Sequence, residues 1–208
     1  MQKLDYTLYL VTDRELTASG DIYDSVEQAV SGGVTLVQLR EKTASSHEFY
    51  QTALRMRELT ARLGVGLIIN DRVDIALAVD ADGVHVGQDD LPCDLVRRMI
   101  GEEKIIGVSA RNTAEALAAV KNGANYLGVG AMFATGTKTD ADISSMEELR
   151  SIRAQVNLPI VVIGGINKTT APLFIGSGID GIAVVSAIVS QESPADAARE
   201  LKAIVRRY

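Results

Sequence analysis

The chain has 208 residues, 47% hydrophobic and 23% charged, which is enough to bury a sizeable core and too apolar for disorder. A formal net charge of −6 argues against a nucleic-acid binder. One cysteine, Cys93, excludes an intrachain disulfide and multi-cysteine zinc sites, and two distant histidines, His47 and His85, leave a hard, oxygen-bound ion as the metal candidate.

Residues 1–14 carry a short apolar patch that is cut off at once by Asp13 and Arg14, unlike a signal peptide. No apolar run approaches the roughly 18 residues of a membrane span. The expectation is a cytoplasmic protein without membrane contact. Eight short apolar, β-branched runs follow along the chain, at 8–11, 36–39, 67–69, 84–86, 105–108, 126–129, 160–163 and 182–185. Each is almost continuously apolar, the pattern of parallel strands buried on both faces. Helical spacing fills the intervals at 24–30, 46–63, 94–100, 113–120, 146–152, 171–175 and 195–205. Glycines 64, 101 and 123 supply stop signals.

Eight strands with helical segments between them thus span 208 residues, 26 per unit. That predicts an α/β fold, a (β/α)8 TIM barrel, as one domain over residues 1–208. The first strand runs into Leu-Val-Thr-Asp-Arg rather than a glycine-rich turn, which disfavours a dinucleotide-binding sheet.

In such a barrel the chemistry sits where the strands end. Gln38, Arg40 and Lys42 fall on one side of strand two by the period of two, a polar and cationic row suited to gripping pyrophosphate. A rim salt bridge with Glu41 or a neighbour is the plainer alternative, but Gln38 and Arg40 begin inside the strand itself, which favours the functional reading. Asn70 and Asp71 end strand three, and Gln88, Asp89 and Asp90 end strand four. Helix caps would account for them, but two carboxylates beside Arg and Lys also suit Mg²⁺. His85, among valines, reads as a core histidine. Ser109 ends strand five without an obvious base partner, so it reads as a substrate contact rather than a nucleophile. The loop after strand six offers Thr135, Thr137 and Lys138 for phosphate oxygens, or simply a solvated turn. Gly164, Gly165, Val185 and Ser186 end strands seven and eight, where phosphate sites recur in this fold. The residues alone suggest a Mg²⁺-dependent barrel enzyme that joins two phosphorylated small molecules and releases pyrophosphate.

The ordered motifs Tyr9-Leu-Val-Thr-Asp13, Gln38-Leu-Arg-Glu-Lys42, Asn70-Asp71, Asp82-Gly-Val-His-Val-Gly-Gln-Asp-Asp90, Gly107-Val-Ser109, Thr135-Gly-Thr-Lys138, Ile163-Gly-Gly165 and Gly181-Ile-Ala-Val-Val-Ser186 resemble the thiamine phosphate synthase family. The resemblance implies coupling of hydroxymethylpyrimidine pyrophosphate to thiazole phosphate, giving thiamine phosphate and pyrophosphate. It implies a dissociative route in which pyrophosphate leaves first and the thiazole nitrogen traps a pyrimidine-methyl cation. Gln38, Arg40, Lys42, Asn70 and Lys138 would bind the pyrimidine pyrophosphate, with Asp71 and Asp90 on Mg²⁺. Ser109 would face the aminopyrimidine. Thr135, Thr137, Gly165, Val185 and Ser186 would hold the thiazole phosphate. Arg40, Lys42, Ser109 and Lys138 are the catalytic candidates. The chain departs from the family pattern at Ala131 and Ala134, where prolines are usual, which implies a looser loop.

A thiazole tautomerase of the same barrel type ranks second, since it needs the thiazole site but not the pyrophosphate and Mg²⁺ residues. Sugar-phosphate epimerases would not require the Gln38–Lys42 row. A non-catalytic sensor of thiamine precursors is the remaining alternative. A homo-oligomer stays open, but the apolar stripe of Ala198, Leu201, Ile204 and Val205 is expected to pack on the barrel itself.

Overall fold

The computed structural model describes residues 4–134 and 143–206. Eight strands, β1 (Leu8–Val11), β2 (Leu36–Leu39), β3 (Gly66–Asn70), β4 (Gly83–Val86), β5 (Ile105–Ala110), β6 (Tyr126–Val129), β7 (Ile160–Val162) and β8 (Gly181–Val184), close into one barrel in chain order. Every neighbouring pair is parallel, β8 to β1 included. The expected barrel is therefore present, with all eight strands at or within two residues of their predicted bounds.

Alternation along each strand divides the apolar residues between two cores. Tyr9, Val11, Leu36, Ile68, Ile105, Tyr126, Val161 and Ala183 fill the inside of the barrel. Their neighbours, among them Leu8, Leu10, Val37, Leu39, Leu67 and Ile69, face the surrounding helices. Both faces are buried, which is why the runs read as continuous rather than alternating.

The outer layer is α1 (Ile22–Ser31), α2 (Ser46–Leu63), α3 (Val73–Ala78), α4 (Cys93–Ile100), α5 (Thr113–Lys121), α6 (Met146–Gln155), α7 (Ser186–Val189) and α8 (Pro194–Val205). The long α2 starts on a capping box between Ser45 and Glu48 and stops at Gly64 (φ 72°), so its sequence bounds and its real ones coincide. The short α3 and α7 have too few turns to show a helical period. The segment 171–175, expected as an α-helix, is instead a 3₁₀ turn (Ala171–Phe174) with Pro172 in its first turn. In α8, Ala198, Leu201 and Val205 are buried, and the helix packs on α1, β1 and α7 of its own barrel. Among the described residues no helix is long and apolar enough to cross a membrane.

Candidate active site

A cavity of about 800 Å³ opens at the C-terminal ends of the strands. Its lining includes Gln38, Arg40, Lys42, Asn70, Asp71, Asp90, Ser109, Gly165, Val185 and Ser186, so every described site residue expected from the sequence converges there. Thr135, Thr137 and Lys138 lie outside the described residues. At the opposite end of the barrel a smaller cavity of about 480 Å³ is also lined by charged groups. Four of those are already paired, Arg57 with Asp82 at 2.9 Å and Lys104 with Asp80 at 2.6 Å.

The polar row on β2 emerges as alternation predicts. Gln38 is buried inside the barrel, and Arg40 and Lys42 follow at the rim. Arg40 does not pair with Glu41, which takes Arg14 at 2.6 Å. Its guanidinium reaches Asp13 on the neighbouring β1 loop at 2.8 Å, and its backbone N–H donates to Thr12 Oγ1 at 3.1 Å. Arg40 thus lines the cavity while its guanidinium makes a rim salt bridge with a neighbour, though not with Glu41.

Asp71 is not a helix cap. The residue before α3 is Arg72, which makes no side-chain cap. Asp71 instead takes a left-handed φ of 60°, donates its N–H to the His85 carbonyl at 2.8 Å and receives Lys42 Nζ at 2.5 Å. Asp90 turns back so that its Oδ2 accepts the Gly87 N–H at 2.7 Å. Burial raises the Asp90 carboxyl above its ordinary range, and the adjacent Asp71 adds to the rise, while the Gly87 N–H and Lys42 oppose it. Two carboxylates crowded in this way, one of them partly desolvated, fit a divalent cation that completes its shell with water and phosphate oxygens. Asp90 rather than Asp89 makes that pair with Asp71. Among the described residues no group of three or more His, Cys, Asp or Glu gathers in a metal-binding cluster.

The floor carries a feature absent from the sequence reading. Gln38 Nε2 donates to the Tyr9 hydroxyl at 2.7 Å, Tyr9 meets the Tyr126 hydroxyl at 2.8 Å, Tyr126 meets His85 Nδ1 at 2.9 Å, and His85 Nε2 meets Ser109 Oγ at 3.0 Å. One unbroken chain of hydrogen bonds therefore crosses the barrel from β2 to β5. Gln88 closes its far end by donating to the Ser109 carbonyl at 2.6 Å. His85 is accordingly not the core histidine expected; it lines the cavity and holds Ser109. It sits at an inward position between two outward valines, and that parity was the signal to read. The same parity marks Tyr9 and Tyr126.

Burial pushes His85 down to about 4 from 6.5, with Asp90 pulling weakly the other way. Between those values the unfolded chain takes up a proton that the folded chain refuses. The stability His85 contributes is therefore full above pH 6.5 and is lost as pH falls toward 4. The loss should be on the order of 2 kcal/mol, reduced from full conversion because the ring edge meets the cavity. Urea denaturation at pH 7 and pH 4.5 should show a smaller drop for His85→Asn than for the wild type. An equal drop would remove His85 from the account.

Gly164 and Gly165 have φ of 93° and 65°, and a Cβ there would strike Ala131 and Phe133 at 2.5 and 2.7 Å. Their glycine character is set by turns and by this contact with the loop after β6. Met132 and Phe133 donate to the carbonyls of Ile163 and Gly164 at 2.9 and 3.1 Å, and Ser144 donates to Ala131 at 2.8 Å. Hydrogen bonds thus tie Met132 and Phe133 to the residues just after β7, while Thr135 to Lys138, where the missing prolines were expected to weaken pre-organisation, lie outside the described residues.

The model of the thiamine monophosphate synthase family matches residues 8–188. The chain belongs to that family. The match runs from the first residue of β1 into α7, so it takes in all eight strands and the described lining of the cavity except Ser190 and Gln191. A thiamine-phosphate synthase of Clostridium beijerinckii is 60% identical over 200 residues, 96% of each chain. One from Clostridium acetobutylicum is 52% identical over 207 residues, covering 100% of this chain and 98% of that protein. Among solved structures, a thiamine phosphate pyrophosphorylase from Pyrococcus furiosus superposes with a TM-score of 0.89 at 42% identity, covering 97% of this chain and 96% of that one. In this member of the family the charged rim stands over a floor of Tyr9, Tyr126 and His85.

Proposed function

We propose that the chain is a thiamine-phosphate synthase, a transferase that condenses hydroxymethylpyrimidine pyrophosphate with thiazole phosphate and releases pyrophosphate. The observation that carries this reading is the meeting, in one cavity, of the Gln38–Arg40–Lys42 row with the Asp71–Asp90 pair and the strand-seven and strand-eight ends. A site for one phosphate alone would not need the first two.

In this reading Arg40 and Lys42 bind the pyrophosphate and stabilise the charge it gains as the C–O bond breaks, and Lys138 does the same from the loop after β6. Asn70 orients the pyrophosphate. Gly165, Val185 and Ser186, with Thr135 and Thr137, hold the thiazole phosphate so that the ring nitrogen faces the pyrimidine-methyl carbon. Pyrophosphate departs first, and the thiazole nitrogen traps the cation. Asp71 and Asp90 would hold Mg²⁺, which when bound would neutralise leaving-group charge.

Pyrophosphate release with both precursors, with and without Mg²⁺, tests the reading. Release that needs both precursors and the metal supports it. Binding of thiazole phosphate without release would favour a tautomerase or a sensor. The metal assignment has a separate check. A carboxyl held above its ordinary range costs stability at neutral pH, where it is ionised, and not in acid. Asp90→Asn should therefore raise Tm at pH 7 without Mg²⁺. The wild-type rise in Tm on adding Mg²⁺ should vanish in the variant. An unchanged Mg²⁺ response would overturn the assignment.

A further inference from the structure

We propose that Tyr9, Tyr126 and His85 are positioning residues that fix the direction of the Ser109 hydroxyl, so that it offers the ligand a proton rather than a lone pair. The number of protons available along the hydrogen-bond chain sets its direction. An amide nitrogen only donates, so the Tyr9 oxygen accepts from Gln38. Tyr9 is 1% exposed, and its own proton has Tyr126 as its acceptor. Tyr126 is fully buried and carries one proton; with its oxygen accepting from Tyr9, that proton goes to His85 Nδ1. A neutral imidazole holds its single hydrogen on the other nitrogen, so Nε2–H donates to Ser109 Oγ.

Each link has one proton to give, so the chain has one polarity, and its last proton emerges at Ser109. Gln88 takes the Ser109 carbonyl and leaves the hydroxyl to the cavity. With Nδ1 accepting from Tyr126, the His85 ring has one proton left to place, on Nε2 facing Ser109 Oγ. The strands make room for the chain: Gly107 lets the Tyr126 ring cross β5, and Gly128 leaves space beside the His85 ring. A hydroxyl fixed as donor selects an acceptor atom above β5. This part rests on the proposed function, in which the acceptor is a ring nitrogen of the aminopyrimidine.

The test begins without ligand. His47 and His85 are the only histidines, and His47 is exposed on α2. Protein labelled with ¹⁵N-histidine should show His85 as a single neutral tautomer, hydrogen on Nε2, from pH 8 to pH 6. Hydrogen on Nδ1, or a mixture, would overturn the proposal, and this measurement needs no variant to fold. Tyr126→Phe keeps the ring and removes the link, so the His85 tautomer should become mixed. In turnover, KM for the pyrimidine pyrophosphate should rise about tenfold while KM for the thiazole phosphate stays within twofold. Ser109→Ala/Tyr126→Phe should bind no worse than Ser109→Ala, because Tyr126 acts through Ser109. Additive losses would mark Tyr126 as merely structural and overturn the coupling. A wild type that releases no pyrophosphate would count against the synthase reading, while the tautomer would still decide the chain's polarity.

Discussion

Asp71→Asn should cut turnover by about two to three orders of magnitude while leaving the barrel folded. The choice of asparagine follows from the backbone. Asp71 sits at φ 60°, a left-handed conformation that Asn tolerates and Ala does not. The N–H to the His85 carbonyl survives the change, so the turn persists. What is lost is charge. Lys42 keeps its position at the rim but loses the carboxylate it faces at 2.5 Å. In the proposed function, a cation held between Asp71 and Asp90 would lose one of its two anionic ligands. The expected factor corresponds to about 3–4 kcal/mol of transition-state stabilisation. Pyrophosphate release over a Mg²⁺ titration checks it, and Tm guards against misfolding. Turnover within threefold of wild type at saturating Mg²⁺ would remove Asp71 from the chemistry.

Gly107→Ala should lower Tm by about 6–12 °C, equivalent to about 3 kcal/mol in a chain of this size. A Cβ at Gly107 would lie 2.1–2.4 Å from Cζ, Oη and Cε1 of Tyr126. That ring cannot simply swing aside. It is fully buried, with the rings of Tyr6, His85 and Tyr9 centred 4.9, 5.5 and 6.0 Å away. Its hydroxyl is also tied to Tyr9 and His85. Thermal melts give the measurement, and the cause can be isolated. With Tyr126→Leu the ring is gone, so the same methyl should cost less than half as much. A change in Tm below 2 °C for Gly107→Ala alone would show that the floor yields more easily than its packing implies.

The barrel was legible because both faces of each strand are covered, so the strands announce themselves as apolar runs whatever their neighbours. The rim was legible too, because Gln38 interrupts such a run with a polar amide and Arg40 and Lys42 follow it with charge. The floor was not, because Tyr9, His85 and Tyr126 lie inside runs that look wholly apolar, and only their inward parity separates them from core. Partners were harder still: Arg40 takes Asp13 across 27 residues of sequence, where Glu41 is its neighbour. Residue spacing says which strand end bears a charge, whereas the register between strands says which charge it meets.

The ion pairs at the mouth affect how a ligand arrives. Among the described lining residues Arg40, Lys42 and Arg111 equal Asp71, Asp89 and Asp90 in number, and each of the three cations has a carboxylate partner, on a molecule with a formal net charge of −6. Such a mouth sets up little far-reaching attraction for a multiply charged anion in solution. Encounter then proceeds by ordinary diffusion, and discrimination begins only at contact, when a ligand or its accompanying cation exchanges places with charges already satisfied.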